Sequence, residues 1–351
     1  MENNKQKDLS KRSLLDNNEH SYINFLRGLA IFLMLWGHSL QYCCGRQFDF
    51  FENTMFKLIY SFHMPLFMLI SGYLFRFSEQ KREMLELIEY KSKSLLYPIL
   101  MGSILNLLLT ACSALTKVET LISSLWFLWS VLACSIALAL AMNLSKSHLI
   151  NLLLIIIGFP FVALFPNYKM NLYMYPYFVI GYLYARNKEK LNKANNVIGI
   201  ISVVIFIIMQ TFFEKKHFIY ISGILGGETI LESIYIDLFR WAIGLFGSIA
   251  VIYIFYLLQS VLKKGAITNF IEDLGKDSLA VYILSTSLLS FWLPKFANKI
   301  LGILTWVEWN NYIWFYNLII TPLVAIAYSI LLLIIIKGLK KVGAYRLIFG
   351  R

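Results

Sequence analysis

Charge is scarce in this chain. Only 15% of its 351 residues are Asp, Glu, Lys or Arg, where a soluble domain carries roughly a quarter. With 58% hydrophobic residues beside so few charges, an ordinary soluble domain is excluded. Cysteine is equally sparse. Cys43, Cys44, Cys112 and Cys134 lie within or beside apolar runs, lack metal-ligand spacing and are too few for a disulfide framework. Packing is their expected role, and no metal is expected. Regular alternation of apolar and polar residues is missing as well. Runs such as NLLLIIIGF (151–159) cannot alternate their faces, which excludes a transmembrane β-barrel. Segment 1–21 is polar, with no apolar core and no small-residue cleavage site, so a cytoplasmic tail is expected there rather than a signal peptide.

What the chain does have is apolar stretches of about 17 to 25 residues, each long enough to cross a bilayer core. Ten spans are expected, at approximately 22–43, 54–75, 95–115, 124–142, 148–165, 171–186, 196–213, 233–258, 278–294 and 313–337. The fold class is therefore all-α, a polytopic helical membrane bundle. A net charge of +12 would suggest nucleic acid in a soluble protein, but here the positive-inside bias accounts for it and no nucleic acid is expected. With the N-terminus inside, the inner segments hold 22 Lys/Arg and the outer ones 8, so both termini are expected in the cytoplasm. The domain plan is a tail (1–21), one membrane domain (22–345) and a short cytoplasmic end (346–351), with no internal repeat. The basic loop 76–94 reads as an amphipathic helix on the membrane, with Met84, Leu85, Leu87 and Ile88 as its apolar side. Two external loops are expected, at 214–232 and 295–312. In the sixth span, Pro176 within YMYPYF suggests a bent or interfacial start.

The first span reads RGLAIFLMLWGH (27–38). On a helix, eleven residues return His38 to within about 20° of Arg27, roughly 16 Å further along the axis. Both then share a face, with Arg27 near the cytoplasm and His38 in the outer half. Ionisable groups in a span usually face the bundle interior or a wet cavity. A snorkelling arginine and a hydrogen-bonded core histidine are the bland alternative. The second span, SFHMPLFMLISGYLF (61–75), runs the other way and puts His63 at similar depth. Histidine is the side chain suited to proton transfer near neutral pH, which makes the pair a candidate acid–base site. Asp237 and Arg240, at i and i+3, read as a structural intramembrane ion pair.

R-x10-H in the first span, FHMPLF…SGYLF in the second, SLWFLWSVL (124–132) in the fourth and LGKDSLAVYILS (274–285) in the ninth together resemble the acyltransferase-3 family of integral membrane O-acyltransferases. The flavour is that of its sugar and surface-polysaccharide O-acetyltransferase branch, and the likeness runs from about residue 20 to 350. The resemblance implies a multi-pass bacterial inner (plasma) membrane protein. It implies acetyl-CoA as a cytoplasmic acyl donor and co-substrate, a sugar hydroxyl as acceptor on a surface glycan or lipid-linked intermediate, and His38 as the catalytic histidine. It also puts Arg27 on the reaction path or in acyl-CoA binding. Relatives often carry a histidine where this chain has Ser285, so no role resting on that group transfers.

An acyl transfer needs a base for the alcohol proton and a positive or hydrogen-bonding group where negative charge develops. His38, with His63 orienting the acceptor or shuttling the proton, meets the first need. Acyl-CoA phosphates need a basic mouth, for which Arg76, Arg82, Lys91 and Lys93 are candidates, with YKSKSLLYP (90–98) resembling the family's basic stretch. The same cations serve topology or anionic lipid equally well. Trp126 is a candidate sugar-stacking residue. Two other readings stand beside the enzyme: a transporter or flippase for a lipid-linked sugar or small anion, and a non-catalytic assembly subunit. Association of copies into a homo-oligomer is left open by the sequence.

Overall fold

Each of the ten expected stretches carries a helix. The computed structural model describes residues 17–43, 48–110, 124–143, 148–191, 194–258, 265–289 and 309–350. In chain order the helices are α1 (Asn17–Cys43), α2 (Thr54–Glu79), α3 (Met84–Thr110), α4 (Trp126–Asn143), α5 (His148–Phe161), α6 (Tyr168–Leu191), α7 (Asn195–Gln210), α8 (Ile230–Leu258), α9 (Ala266–Lys276), α10 (Ser278–Leu289), α11 (Thr321–Lys341) and α12 (Ala344–Phe349). A short turn at Ile313–Phe315 and a π-helical turn at Tyr316–Ile320 lead into α11. Among the described residues there is no strand. Four helical stretches are long and apolar enough to cross a membrane: Glu19–Cys43, Thr54–Glu79, Ile230–Leu258 and Ile313–Lys341. Shorter apolar helices cover Trp126–Met142, Leu153–Leu164, Asn195–Gln210 and Ser278–Leu288. The expected loop 295–312, apart from its last residues, and Cys44 and Cys112 lie outside the described residues; Cys43 and Cys134 are buried thiols, not disulfide-bonded.

Several local expectations change. The helix of the first span starts at Asn17, inside the expected tail, and Glu19 pairs with Lys188 at the end of α6 (2.6 Å). Loop 76–94 is not a separate surface helix. Its first residues complete α2, and its remainder is the first turns of α3, where Leu87 is buried and Leu85 is exposed. The apolar side chains there are spent on the bundle as well as on its surroundings. Helix α6 runs through Pro176, and its backbone leaves helical geometry at Asn187 instead (φ −111°, ψ 16°). Residues 266–276, expected as part of an inner loop, form α9, which buries Ile271 and Leu274.

Helix starts are set by local chemistry. Asn53 caps α2 by accepting from Phe56 N–H (3.0 Å), and its amide donates to Asn317 Oδ1 in the π-helical turn (2.8 Å). One side chain thus opens α2 and ties it to the last long helix. Gly265 N–H donates to Thr268 Oγ1 (2.8 Å), satisfying one of the donors orphaned at the start of α9.

Helix contacts are closest at two glycine crossings. At α2 and α6 the fit is reciprocal. A Cβ on Gly72 would lie 1.9 Å from Phe178 O, and one on Gly181 would lie 2.0 Å from Leu69 O. At α1 and α9, a Cβ on Gly28 would lie 1.7 Å from Ile271 O, and one on Gly275 would lie 1.8 Å from Asn24 O. Lipid tails are as apolar as leucine, so helices in a bilayer gain most from backbones that approach closely at small residues. The RG of the first span and the LGK of the ninth therefore meet in space.

Gly181→Val forces α2 and α6 apart, because backbone carbonyls cannot yield as a flexible side chain can. An expected loss of about 3 kcal/mol or more should appear as a lowered melting temperature of the detergent-solubilised protein. Gly338→Ala, where a Cβ meets nothing within 4 Å, should melt like the wild type.

Candidate active site

The α1–α9 crossing places Arg27. Its Nη2 donates to Ser278 Oγ (2.6 Å) at the first residue of α10, 251 positions away. Arg27 and Ser278 line a cavity of about 160 Å³ together with Met34, Met64, Phe67, Tyr90, Lys91, Ser94, Phe127 and Tyr282. Five helices contribute to it: α1, α2, α3, α4 and α10. Arg27 and Lys91 are the cations of its described lining, Ser71, Ser94 and Ser278 add hydroxyls, and the other groups are apolar or aromatic. Tyr282 holds the start of α4 by accepting from Phe127 N–H (3.3 Å).

Towards the His38 end lies a crevice of about 20 Å³, lined by Tyr60, His63, Met64, Tyr173, His217, Tyr220 and Arg240 among others. That space admits about one water or one hydroxyl group. Met64 borders both spaces and is the residue their described linings share. His63 is 2% exposed and donates from Nδ1 to Ile59 O (2.9 Å), the carbonyl one turn before it. This bond fixes the neutral tautomer with the lone pair on Nε2.

His38 and His63 are joined by a residue that the sequence reading missed. The Tyr60 hydroxyl lies 3.5 Å from His38 Nδ1, and its ring packs edge-on to His63 at 4.7 Å between centroids. The ring finds room because position 37 is glycine; a Cβ there would lie 2.5 Å from Tyr60 Cε2. His38 also stacks on Tyr42 and hydrogen-bonds the Gln41 side chain. A tyrosine one turn before His63 is a visible signal, hidden in a chain of which 16% is aromatic.

The expected basic mouth divides. Lys91 lines the cavity with Arg27, its Nζ 5.5 Å from the Phe75 ring centre. Arg82 is one ring removed, its guanidinium 3.7 Å above Tyr90, whose ring lines the cavity. Arg76 pairs with Glu79, and Lys93 pairs with Glu89 on the exposed side of α3; neither lines the cavity. In a helix, residues two apart face different ways, so Lys91 and Lys93 part company. Trp126 opens α4 with its ring 6.3 Å from Tyr220, at the edge of the crevice rather than in it.

Segment 214–226 was expected as an external loop, yet His217, Phe218 and Ile219 are buried. Arg240 of α8 holds the segment down. Its Nε donates to His217 O (3.1 Å), Nη1 to Gly223 O (2.7 Å) and Asp237 Oδ1 (3.0 Å), and Nη2 to Lys216 O (3.5 Å) and Ser222 Oγ. Asp237 Oδ2 accepts from Leu225 N–H (3.0 Å). The ion pair read from i, i+3 spacing is thus the clamp of a strap across the crevice. His217 accepts from Glu214 N–H on Nδ1 (2.9 Å). Burial depresses its pKa to about 4, only partly offset by the Glu214 carboxylate, so the ring is neutral at pH 7.

With this geometry in hand, comparison with known proteins is direct. A family model described as an acyltransferase domain, that of acyltransferase-3, matches residues 20–338. The chain belongs to this family. It is similar to "Nodulation protein NolL" of Sinorhizobium fredii, 30% identical over 203 residues, 54% of this chain and 55% of that protein. It is also similar to "Nodulation protein NolL" of Mesorhizobium japonicum, 29% identical over 185 residues, 48% and 49% of the two chains. The chain spans about half the length of these curated relatives. No solved structure matches.

Arg240→Ala leaves Asp237 charged and buried without a partner, so a loss of about 3–5 kcal/mol is expected on thermal unfolding, partly restored in the Asp237→Leu/Arg240→Met double variant. His217 supplies a pH signature. Its folded pKa lies below its unfolded value of about 6.5, so the unfolded chain takes up a proton that the native one refuses. Stability should fall as pH drops from about 6.5 towards 4 and stay level above that window. His217→Phe should flatten the slope in a series of melting curves.

Proposed function

We propose that this protein is a membrane O-acetyltransferase. It takes an acyl group, acetyl by this reading, from acyl-CoA at the cytoplasmic, Arg27 end. It passes the group to a hydroxyl of a sugar in a surface polysaccharide or its lipid-linked precursor at the His38 end, in a bacterial inner membrane. One observation carries the reading: a cationic cavity and a histidine-lined crevice share a lining residue, Met64. A thioester arm could then present its carbonyl to a hydroxyl on the far side without free passage of either substrate. Family membership and the bacterial sources of the relatives support it.

In this mechanism Arg27 and Lys91 attract the phosphates of acyl-CoA at the cavity mouth, and the apolar walls exclude water from the thioester. The acceptor oxygen attacks the carbonyl carbon; a C–O bond forms and the C–S bond breaks. The hydroxyl proton passes to imidazole and then to the departing thiolate, so no net charge is left behind. His38 and His63 flank Tyr60 and serve as the acid–base groups, His63 offering its Nε2 lone pair to the hydroxyl proton.

The test is reconstituted protein supplied with acetyl-CoA and the surface glycan of a producing cell. Acetyl transfer is expected, and His38→Ala and His63→Ala should each lower kcat about 10²–10⁴-fold with unchanged expression. Lys91→Ala should raise KM for acetyl-CoA more than Lys93→Ala does. Movement of a lipid-linked sugar across vesicles without consumption of acetyl-CoA would overturn the proposal in favour of transport.

A further inference from the structure

Among the described residues that line the crevice beside His63, one fully buried side-chain polar atom has no hydrogen-bond partner. His217 is 2% exposed, and its Nε2 is buried without a hydrogen bond. Because Nδ1 accepts from Glu214 N–H (2.9 Å), the neutral ring carries its proton on Nε2, an unspent donor on a residue that lines the crevice. A buried polar group left unpaired costs about 1–3 kcal/mol, so its persistence here points to something that visits it. The crevice, of about 20 Å³, has room for about one hydroxyl group.

Arg240, the cation of the same wall, offers nothing to a visitor. All five of its N–H groups have acceptors in the strap and Asp237, and the Asp237 carboxylate balances its charge. An anion entering the crevice would find no free cationic donor there and would lose its hydration. An uncharged hydroxyl would gain the His217 N–H and lie in the wall that His63 also forms. The rest of such a molecule would lie towards Tyr220, which is 46% exposed at the crevice edge, with Trp126 beside it.

We propose that this crevice is the seat of the reacting acceptor hydroxyl, that His217 is its binding residue, and that the acceptor is uncharged near that hydroxyl. This rests on the acyltransferase reading above and names the acceptor chemistry of the same site. His217 donates to the acceptor oxygen and holds it for the attack on the acyl carbon.

The full-length protein in nanodiscs is assayed with acetyl-CoA and a panel of small polyols: glycerol and neutral methyl pyranosides against glycerate and the matching methyl uronates. The neutral compounds are expected to be acetylated at least tenfold more efficiently than the anions. His217→Phe should raise KM for the neutral acceptors about five- to tenfold with kcat changed far less, and His217→Gln, whose amide can donate, should recover much of that loss. Melting curves identify any variant that fails to fold, in which case the neutral-against-anion ratio of the wild type and the Gln variant decide. Anions used as well as neutral compounds, or a KM indifferent to both substitutions, would overturn the inference alone. So would acetyl-CoA hydrolysis with no member of the panel acetylated. A wild type that neither hydrolyses nor transfers from acetyl-CoA would overturn the acyltransferase reading and this one with it.

Discussion

The structure depends on helix backbones touching where lipid gives no other reason for helices to associate. Two glycine crossings supply that contact. The reciprocal fit of Gly72 on Phe178 and Gly181 on Leu69 locks α2 to α6, and with them His63 on one helix and Tyr173 on the other. The fit of Gly28 on Ile271 and Gly275 on Asn24 locks α1 to α9 and delivers Ser278 to Arg27. Arg27 adjoins Gly28, Ser278 follows Gly275 by three residues, and His63 precedes Gly72 by nine. Packing and chemistry are therefore written into the same short stretches, which is why RG, SG and LGK accompany the polar residues.

The interior is divided by cost. Desolvated charge is confined to places where hydrogen bonds repay it: Arg27 on Ser278, and Arg240 within a shell of carbonyls and a carboxylate. Between these two arginines the described lining is aliphatic, aromatic, sulfur-containing, hydroxyl or imidazole, with Lys91 as the further cation of the Arg27 cavity. The arginines line different spaces, one attached to each compartment.

Much of this was legible in the sequence. Apolar run lengths located a helix in each of the ten expected stretches, and the first of them carries both Arg27 and His38. Other features depend on contacts that no period encodes. Tyr60 is unmarked among the aromatics of the chain until the gap at Gly37 is seen. His217 looks like a loop residue until Arg240 draws the loop inward. Lys91 and Lys93 are indistinguishable as a basic pair until the direction of α3 separates them. Helix α9 was read as a loop because its eleven residues are too short and too polar for a span, although Ile271 and Leu274 bury against the bundle.

The bond between Arg27 and Ser278 also bears on how the protein is made. At about 5–20 residues per second, the 251 residues between them take roughly 10–50 s to synthesise. For that interval α1 sits at the membrane with its guanidinium lacking the hydroxyl that will later receive it. The arginine can wait with its head among lipid phosphates, drawn inward only when α9 docks on Gly28 and α10 arrives. The cavity therefore closes only after α10 has been made, and α11 then packs on α1 through the Trp36 to Thr321 hydrogen bond.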